Sequence, residues 1–313
     1  MKSKDFLSIS DLTSEGIRGL ILRATAMKDE GWNSLLSGKV LALLFELPSL
    51  RTRVSFEVAM RQLGGECIYL SPEEVQLGKR ESIPDAARVL SRYADIIGIR
   101  TTSHEKLEIF AHNADIPVIN ALSNLEHPCQ ALADILTIYE HKETLEELAI
   151  AFIGDGNNTA HSLMLAATLC GMDFRIASPK EYRVKDKILK TAQQYAADNQ
   201  STILSTEDPR QAVANADVVY TDVWISMGQE AEAKQRRKAF ASYQVDGKLL
   251  SLAKKDAILM HPLPAHHGEE VAENLIYCPQ SVVFDQAENR MHAQKAILAD
   301  ILGGLEITLP GYR

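Results

Sequence analysis

Short apolar runs alternate with helix-periodic segments along nearly the whole chain, and this pattern restricts the folds open to it. Runs of about four to eight apolar residues are typical of strands buried on both faces of a sheet. Helices between such strands make the strands run parallel. We therefore predict an α/β protein with two domains, each a parallel sheet flanked by helices on both faces. The predicted strands are Val40–Phe45, Cys67–Leu70, Ile96–Ile99, Val118–Ile119, Leu148–Ile153, Phe174–Ala177, Thr202–Leu204, Val218–Thr221, Ile258–Met260 and Val282–Phe284.

The chain length and the helical segments suggest how the two domains are divided. At 313 residues the chain exceeds the usual size of one domain. We predict a first domain of residues 1–138, completed by the C-terminal helix 288–313, and a second domain of residues 139–287. The predicted helices are Val54–Leu63, Ser82–Tyr93, Glu105–Ala111, Pro128–Glu140, Ala160–Cys170, Lys185–Ala197, Pro209–Ala216 and Glu288–Leu302.

Charge, hydropathy and cysteine spacing indicate which kinds of binding partner and which cellular location are improbable for this chain. The net charge of −9 disfavours a nucleic-acid binder, which needs a basic surface. No apolar run reaches the length of a membrane span. The residues after Met1–Lys4 do not form the apolar core of a signal peptide. The four cysteines lie far apart without paired spacing, as in reduced proteins without a zinc site. We expect a cytoplasmic protein without a metal, a nucleic-acid partner or a membrane partner.

The segment Ser49–Arg53 combines two hydroxyls and two guanidinium groups at a predicted strand-to-helix turn. The first turn of a helix leaves backbone N–H groups unpaired, and its dipole favours an anion. Guanidinium groups add forked donors that suit phosphate oxygens. The segment therefore predicts a site for a small phosphate-bearing molecule. The alternative is that Ser49 only caps the helix and that both arginines are solvated.

Two further groups of polar residues lie where they could join this turn. Arg100 ends the strand Ile96–Ile99, and ligands of parallel sheets bind beyond the carboxyl ends of the strands. The segment His127–Gln130 opens a helix with proline in its first turn. A capping histidine and a surface glutamine are the alternative for this segment.

In the second half, polar residues again follow predicted strands. The segment Gly154–Asn158 lacks the third glycine of a dinucleotide site, so its amide groups point instead to a carboxylate ligand, or only to a turn. The segment Asp222–Gly228 presents a carboxylate, an indole and a hydroxyl, and its carboxylate suits the ammonium of an amino acid. The charged run from Gln229 to Lys238 predicts a solvated helix or a mobile loop.

Two last segments carry polar groups that the sequence alone leaves open. Pro262 and Pro264 fix an irregular turn around Leu263, and we expect this turn to offer carbonyl acceptors rather than metal ligands. Arg290 lies at the predicted start of the last helix, against the helix dipole. That position indicates either a bound anion or a salt bridge of structural importance.

Taken together, these motifs resemble the aspartate/ornithine carbamoyltransferase family, and its ornithine-using members most closely, over nearly the full length. The element Ser-x-Arg-Thr-Arg corresponds to Ser49–Arg53, and His-Pro-x-Gln corresponds to His127–Gln130. The element Asp-x-x-x-Ser-Met-Gly, here Asp222–Gly228, distinguishes the ornithine enzymes from the aspartate enzymes.

The resemblance implies a role for individual residues. Four would be catalytic: Arg51, Thr52, Arg100 and His127. Carbamoyl phosphate would be held by Ser49, Leu50, Arg51, Thr52, Gln76, Arg100, His127, Gln130, Leu263 and Arg290. Ornithine would be held by Asn158, Asp222, Ser226 and Met227. Gln76 would reach the phosphate of a neighbouring subunit, which implies a homotrimer or a multiple of trimers.

The implied reaction transfers the carbamoyl group of carbamoyl phosphate to the δ-amine of L-ornithine, giving L-citrulline and phosphate in arginine metabolism, without a cofactor. The chain departs from the family at Pro262, where ornithine enzymes usually carry cysteine, and at Leu47 and Leu50, where many relatives have lysine and threonine. One alternative is a sibling carbamoyltransferase that uses aspartate, an N-acylated ornithine or putrescine. The other is a binding protein that has lost activity.

Overall fold

The structure, a computed structural model, describes residues 4–226 and 228–303 of the chain. These residues form two compact units. Unit 1 holds the described residues up to Leu136 and from Glu288 onward, and unit 2 is Thr137–Ala287. None of the helices within the described ranges is both long and apolar enough to cross a membrane.

Unit 1 is built on a four-stranded parallel sheet whose strand order is β2-β1-β3-β4. The strands are β1 (Val40–Phe45), β2 (Glu66–Leu70), β3 (Ile96–Arg100) and β4 (Val118–Leu122). The helices are α1 (Ser14–Glu30), α2 (Leu50–Gln62), α3 (Pro72–Val75), α4 (Ile83–Leu90), α5 (His104–Asn113) and α6 (Pro128–Lys142), of which α6 continues into unit 2.

The strand order of unit 1 reverses between β1 and β3. The chain passes from β1 to β2 on one side and returns to β3 on the other side of β1. Such a reversal leaves a crevice at the carboxyl ends of the two strands, where α/β proteins bind ligands. The ends are adjacent here, because Phe45 is in register with Arg100 and the Glu46 N–H donates to the Arg100 carbonyl at 2.8 Å.

Unit 2 is a five-stranded parallel sheet in the order β7-β6-β5-β8-β9. Its strands are β5 (Ala149–Ile153), β6 (Asp173–Ala177), β7 (Ile203–Thr206), β8 (Val218–Thr221) and β9 (Ile258–Met260). Its helices are α7 (Asn158–Leu169), α8 (Asp186–Asp198), α9 (Pro209–Val213), α10 (Ala233–Phe240), α11 (Gly247–Leu250) and the start of α12 (Val283–Leu302). The order reverses between β5 and β8, where Ile153 is in register with Thr221.

The predicted strand Val282–Phe284 is wrong, because helix α12 already begins at Val283. Immediately before the helix, Ser281 forms an isolated bridge with Leu259, and both Val282 and Val283 are buried. The short apolar run is therefore the buried entry of a helix, which periodicity over three residues cannot distinguish from a strand.

Helix α1 was not among the predicted elements, although its pattern is visible in the sequence. Thr13 caps it by accepting a hydrogen bond from the Gly16 N–H. Ile17, Leu20, Ile21 and Ala24 recur at helical spacing and are all buried.

Candidate functional site

The helix that follows β1 begins with a capped turn. Ser49 is the N-cap of α2, and its hydroxyl both accepts from the Thr52 N–H at 3.4 Å and donates to the Thr52 hydroxyl at 3.1 Å. The expectation that Ser49 caps this helix is therefore met. Leu50 is the first helical residue and is 76% exposed, so its side chain adds nothing to the core.

The two arginines of this turn have different surroundings. Arg53 is exposed, donates to Glu57 at 2.7 Å and lies over the Tyr69 ring at 4.0 Å. Arg51 is partly buried, and burial lowers the pKa of its guanidinium. The expectation of two guanidinium groups at the anion site is therefore wrong for Arg53, whose charge is already paired.

Arg100 ends β3 as a buried side chain, and its Nε has no hydrogen-bond partner within the described ranges. Burial, followed by the positive charges of Arg290 and Arg51, lowers the pKa of Arg100 to about 10. No carboxylate of the described residues pairs with Arg51 or Arg100. Two cations that repel each other and have no carboxylate partner, as Arg51 and Arg100 do here, indicate a site for an external anion.

His127 immediately precedes α6 and is buried. Burial, followed by the charges of Arg290 and Arg100, holds the pKa of His127 well below its usual value. The imidazole is therefore neutral near pH 7 and can act as a hydrogen-bond donor or acceptor but not as a cation.

Arg290 joins the same cluster, but not from a helix start. Because α12 begins at Val283, Arg290 lies about two turns inside the helix, and the dipole reasoning based on the predicted start is wrong. Its buried guanidinium donates to the Thr52 hydroxyl at 2.8 Å. This bond ties the last helix to the first turn of α2.

Gln130 and Gln76 differ in how they relate to the cluster. Gln130 is buried, and its amide N–H donates to Asp134 at 2.8 Å, whereas its Oε1 has no partner within the described ranges. Gln76 is exposed, adopts the left-handed conformation (φ 33°) after α3, and donates to the Glu73 carbonyl at 3.2 Å. Within the described ranges, the Gln76 side chain makes no hydrogen bond to Arg51, Arg100 or Arg290.

In unit 2 the two strand ends at the reversal carry Asn157 and Asp222. Asn157 caps α7 through its side-chain oxygen, which accepts from Thr159 and Ala160, and its amide donates to the Asp222 carboxylate at 2.8 Å. The buried Asp222 also accepts from the Val223 N–H at 2.8 Å. The side-chain oxygen of Asn157 is engaged inside the protein and one of its two amide protons is bonded to Asp222, so a contact of Asn157 with a ligand carboxylate stays a prediction.

A buried ion pair lies beside Asp222. Arg236 donates to Asp155 at 2.8 Å and to the Trp224 carbonyl at 2.9 Å, and its guanidinium also lies over the Tyr182 ring at 4.7 Å. Burial raises the pKa of Asp155 to about 6, although the charge of Arg236 opposes the rise. The pair fixes the segment that carries Asp222 and Ser226 through the Trp224 carbonyl.

The structure also places the remaining residues that were predicted to bind ornithine, and Leu263, which was predicted to bind carbamoyl phosphate. Asn158 is the first residue of α7, and Ser226 accepts through its carbonyl from the Gln229 N–H at 3.0 Å. Met227 lies outside the described residues. Leu263 has a positive φ of 55°, and its N–H donates to His261 Nδ1 at 2.9 Å.

The turn after β9 is held by a second buried pair. His261 Nε2 lies 3.1 Å from Glu270 Oε1, and the His266 N–H donates to the same oxygen at 2.6 Å. Because His261 Nδ1 accepts a hydrogen bond from Leu263, the ring proton is on Nε2 and points to Glu270. Within residues 4–226 and 228–303, no group of three or more His, Cys, Asp or Glu is arranged to hold a metal ion.

Sequence reasoning missed Asp155 and Arg236 as parts of the site. Asp155 was visible after β5, within a segment considered for nucleotide binding. Arg236 lies in a charged run that predicted a solvated segment, yet it is buried together with Phe240 at the end of α10. The weak sequence signal for burial of Arg236 was Phe240, an aromatic residue four positions later on the same helical face.

Two family models match the chain. The carbamoyl-P binding domain of aspartate/ornithine carbamoyltransferase matches residues 4–140, and the Asp/Orn binding domain of the same family matches residues 146–301. The parallel α/β fold with its strand-end cation cluster is thus found in a family of group-transferring enzymes. The chain belongs to the aspartate/ornithine carbamoyltransferase family, which confirms the family and the fold class predicted from the sequence.

Relatives and solved structures agree with this membership. An ornithine carbamoyltransferase of Anoxybacillus flavithermus is 54% identical over 306 residues, which cover 96% of this chain and 98% of the relative. The anabolic ornithine carbamoyltransferase of Pyrococcus furiosus is 49% identical over 312 residues, 98% of each chain. The solved ornithine carbamoyltransferase of Pyrococcus furiosus superposes with a TM-score of 0.93 at 50% identity, covering 96% of this chain and 98% of that one. The anabolic enzyme of Campylobacter jejuni superposes with a TM-score of 0.92 at 39% identity, covering 96% and 99%.

Proposed function

We propose that this protein transfers the carbamoyl group of carbamoyl phosphate to the δ-amine of L-ornithine, giving L-citrulline and phosphate. The observation that carries the proposal is the cluster of Arg51, Arg100 and Arg290 around the first turn of α2. It lies at the strand reversal of the unit that matches a carbamoyl-P binding domain. Two relatives that are 54% and 49% identical to the chain over nearly its full length are named ornithine carbamoyltransferase.

The phosphate group binds at the start of α2. The backbone N–H groups of its first turn and the Ser49 hydroxyl supply neutral donors, and Arg51 supplies the charge that a phosphate dianion needs. Binding relieves the mutual repulsion of Arg51 and Arg100, so the ligand gains more than a single surface ion pair provides.

The carbamoyl group is held by Thr52, Arg100, His127 and Gln130. The Thr52 hydroxyl accepts from Ser49 and Arg290, which leaves its proton to donate to the carbamoyl oxygen. The Gln130 Oε1 accepts from the carbamoyl NH₂ group, because the amide nitrogen of Gln130 is already bonded to Asp134. Attack at the carbamoyl carbon builds negative charge on the oxygen, and donors aimed there in advance stabilise that charge.

Ornithine binds to unit 2 through its amino-acid end. Asp222 keeps lone pairs for the α-ammonium beyond its bonds to Asn157 and Val223, while Asn158, Ser226 and Met227 complete the site. The Leu263 carbonyl contributes an acceptor for the carbamoyl NH₂ group. The δ-amine attacks as a neutral group, and the departing phosphate takes the amine proton, so activity falls as pH drops below the effective pKa of that amine.

The active assembly is a homotrimer or a multiple of trimers in the cytoplasm. Gln76 then supplies a donor to the phosphate bound by a neighbouring subunit. This role accounts for its exposure and for the absence, within the described ranges, of hydrogen bonds from its side chain to Arg51, Arg100 and Arg290. Carbamoyl transfer to ornithine is a step of arginine metabolism.

A colorimetric ureido assay with carbamoyl phosphate and a panel of amines tests the proposal. The panel contains ornithine, aspartate, N-acetylornithine and putrescine, because Pro262 stands where ornithine enzymes usually carry a cysteine. We expect ornithine to give the highest kcat/KM. Equal or faster turnover of another amine would assign the protein to a sibling enzyme. No turnover with any amine, despite saturable binding of carbamoyl phosphate, would assign it to a binding protein.

A further inference from the structure

We infer that Lys106 is a positioning residue that holds the Gln76 loop against the carboxyl end of β1, so that Gln76 can contact carbamoyl phosphate. The inference rests on the proposed function for its catalytic consequence. Its geometric part concerns only unit 1.

Lys106 makes two hydrogen bonds that connect separate elements. Its Nζ donates to Glu46 Oε1 at 2.7 Å and to the Leu77 carbonyl at 3.3 Å. The Lys106 side chain is 32% exposed and the Glu46 side chain 15%, so the pair is partly shielded from water. Leu77 immediately follows Gln76 and is buried in the core between the sheet and helices α4 and α5.

Glu46 connects this lysine to the anion site. It directly follows β1, its N–H donates to the Arg100 carbonyl at 2.8 Å, and its second carboxylate oxygen accepts from the Thr101 hydroxyl. Ser49 and the first turn of α2 begin three residues later. The Glu46 carboxylate therefore joins Thr101, the residue after Arg100, to the loop that carries Gln76 through Lys106. Glu46 itself lies three residues before the cap of the turn that carries Arg51.

The position of Lys106 is unfavourable for helix stability alone. It is the third residue of α5, where its N–H donates to the Ser103 cap at 3.3 Å and where the helix dipole disfavours a cation. The contacts with Glu46 and Leu77 offset this cost. Gln76 itself has a left-handed backbone, so the direction of its side chain depends on how firmly the next residue is held.

Replacement of Lys106 by methionine removes both bonds and keeps the apolar stem. We expect KM for carbamoyl phosphate to rise about tenfold, the scale of one lost hydrogen bond. The value of kcat should stay within about twofold, because the phosphate contact is made in both the ground state and the transition state. KM for ornithine should not change, and inhibition by inorganic phosphate should weaken in parallel.

The matched control is Lys39→Met. Lys39 donates to Asp95 at 2.9 Å, with side-chain exposures of 45% and 31%, and lies just before β1, at the amino end of the strand that Glu46 follows. We expect it to leave KM for carbamoyl phosphate unchanged. Lys106→Arg should keep KM within about threefold of the wild type, because arginine retains charged donors of similar reach.

Two further measurements separate positioning from other effects. In the double variant Glu46→Gln, Lys106→Met, KM should remain raised, because the Leu77 carbonyl still lacks its donor. A return to the wild-type KM would show that only charge balance matters and would overturn the inference. A wild-type KM in Lys106→Met, or an equal rise in Lys39→Met, would overturn it as well.

Hydrogen exchange tests, without an activity measurement, whether Lys106 holds the Gln76 loop in place. The amides that follow Gln76 should exchange faster in Lys106→Met than in the wild type, while those of β1 should not. Unchanged protection of the loop would contradict the inference. If the wild type made no citrulline, the proposed function would fail, while exchange would still decide whether Lys106 holds the loop.

Discussion

The two strand reversals of this protein have the same topology but opposite electrostatics. At the ends of β1 and β3 in unit 1, Arg51, Arg100 and Arg290 repel one another, and no carboxylate among the described residues pairs with the first two. At the ends of β5 and β8 in unit 2, Asp155 and Asp222 already have Arg236 and Asn157 as partners. The two sites therefore differ in that Arg51 and Arg100 have no carboxylate partner among the described residues, whereas the buried Arg236 is paired with Asp155.

Because of this difference, we expect mutations at the first site to change activity and mutations at the second site to change stability. A cation that is repelled by its neighbours contributes little to folding, so its removal should affect mainly binding and catalysis. A cation buried with its carboxylate leaves an uncompensated charge when it is removed, so its removal should affect mainly folding. The predictions below test this separation, from the largest expected effect to the smallest.

Replacing Arg51 by alanine should lower kcat/KM by about 10³-fold, the scale of a lost oxyanion donor. The free energy of unfolding should not fall, because the change relieves repulsion on Arg100. Steady-state kinetics and chemical denaturation measure the two effects. Arg53→Ala is the matched control, since Arg53 is paired with Glu57 and should cost less than about tenfold. A large loss of stability in Arg51→Ala would break the comparison.

Replacing Arg236 by glutamine should lower the free energy of unfolding by about 3–5 kcal/mol, the cost of breaking a buried ion pair. KM for ornithine should also rise, because the Trp224 carbonyl loses its donor next to the Asp222 segment. The control is Arg237→Gln, whose exposed pair with Glu269 should contribute less than about 1 kcal/mol. Equal effects of the two variants would mean that the buried pair has no special role.

Replacing His127 by glutamine should lower kcat by about 10²-fold, because a donor to the carbamoyl oxygen is displaced. The pH profile of kcat/KM should keep its shape between pH 6 and 8. The pKa of His127 is held well below its usual value by burial and by two arginines, so the wild-type imidazole does not titrate there. Loss of an acidic limb in the variant would show instead that His127 titrates in this range.

Replacing Asp155 by asparagine should change how stability depends on pH. The pKa of Asp155 is raised from 3.8 to about 6, so its favourable contribution is complete below pH 3.8 and is lost as pH rises through about 6. The stability difference, wild type minus variant, should therefore decrease by on the order of 2–3 kcal/mol across this range. Denaturation at a series of pH values measures it, and an increase with pH would contradict the assignment.

Much of the fold and part of the site could be predicted from the sequence. The anion turn, Arg100 and Asp222 follow apolar runs that are strands, and strand ends at a reversal share an edge of the sheet. Such inferences succeed because local chemistry and strand order together determine where a residue lies.

Contacts between distant segments could not be predicted in this way. Arg236 and Asp155 are 81 residues apart, and the charged run around Arg236 has the composition of a solvated helix. The hydrogen bond from Arg290 to Thr52 joins residues 238 positions apart. The sequence predicted a start of the last helix at Glu288, whereas α12 begins at Val283, so Arg290 joins the arginine cluster for a reason other than its place at a helix start. Burial of a charge depends on its partner, which periodicity does not reveal.

Calorimetric titration of the full chain with carbamoyl phosphate tests most directly whether the arginine cluster of unit 1 is an anion site. We predict saturable binding at one site per chain for the wild type and loss of that binding in Arg51→Ala. Absence of binding to the wild type, or equal affinity in the variant, would contradict the account.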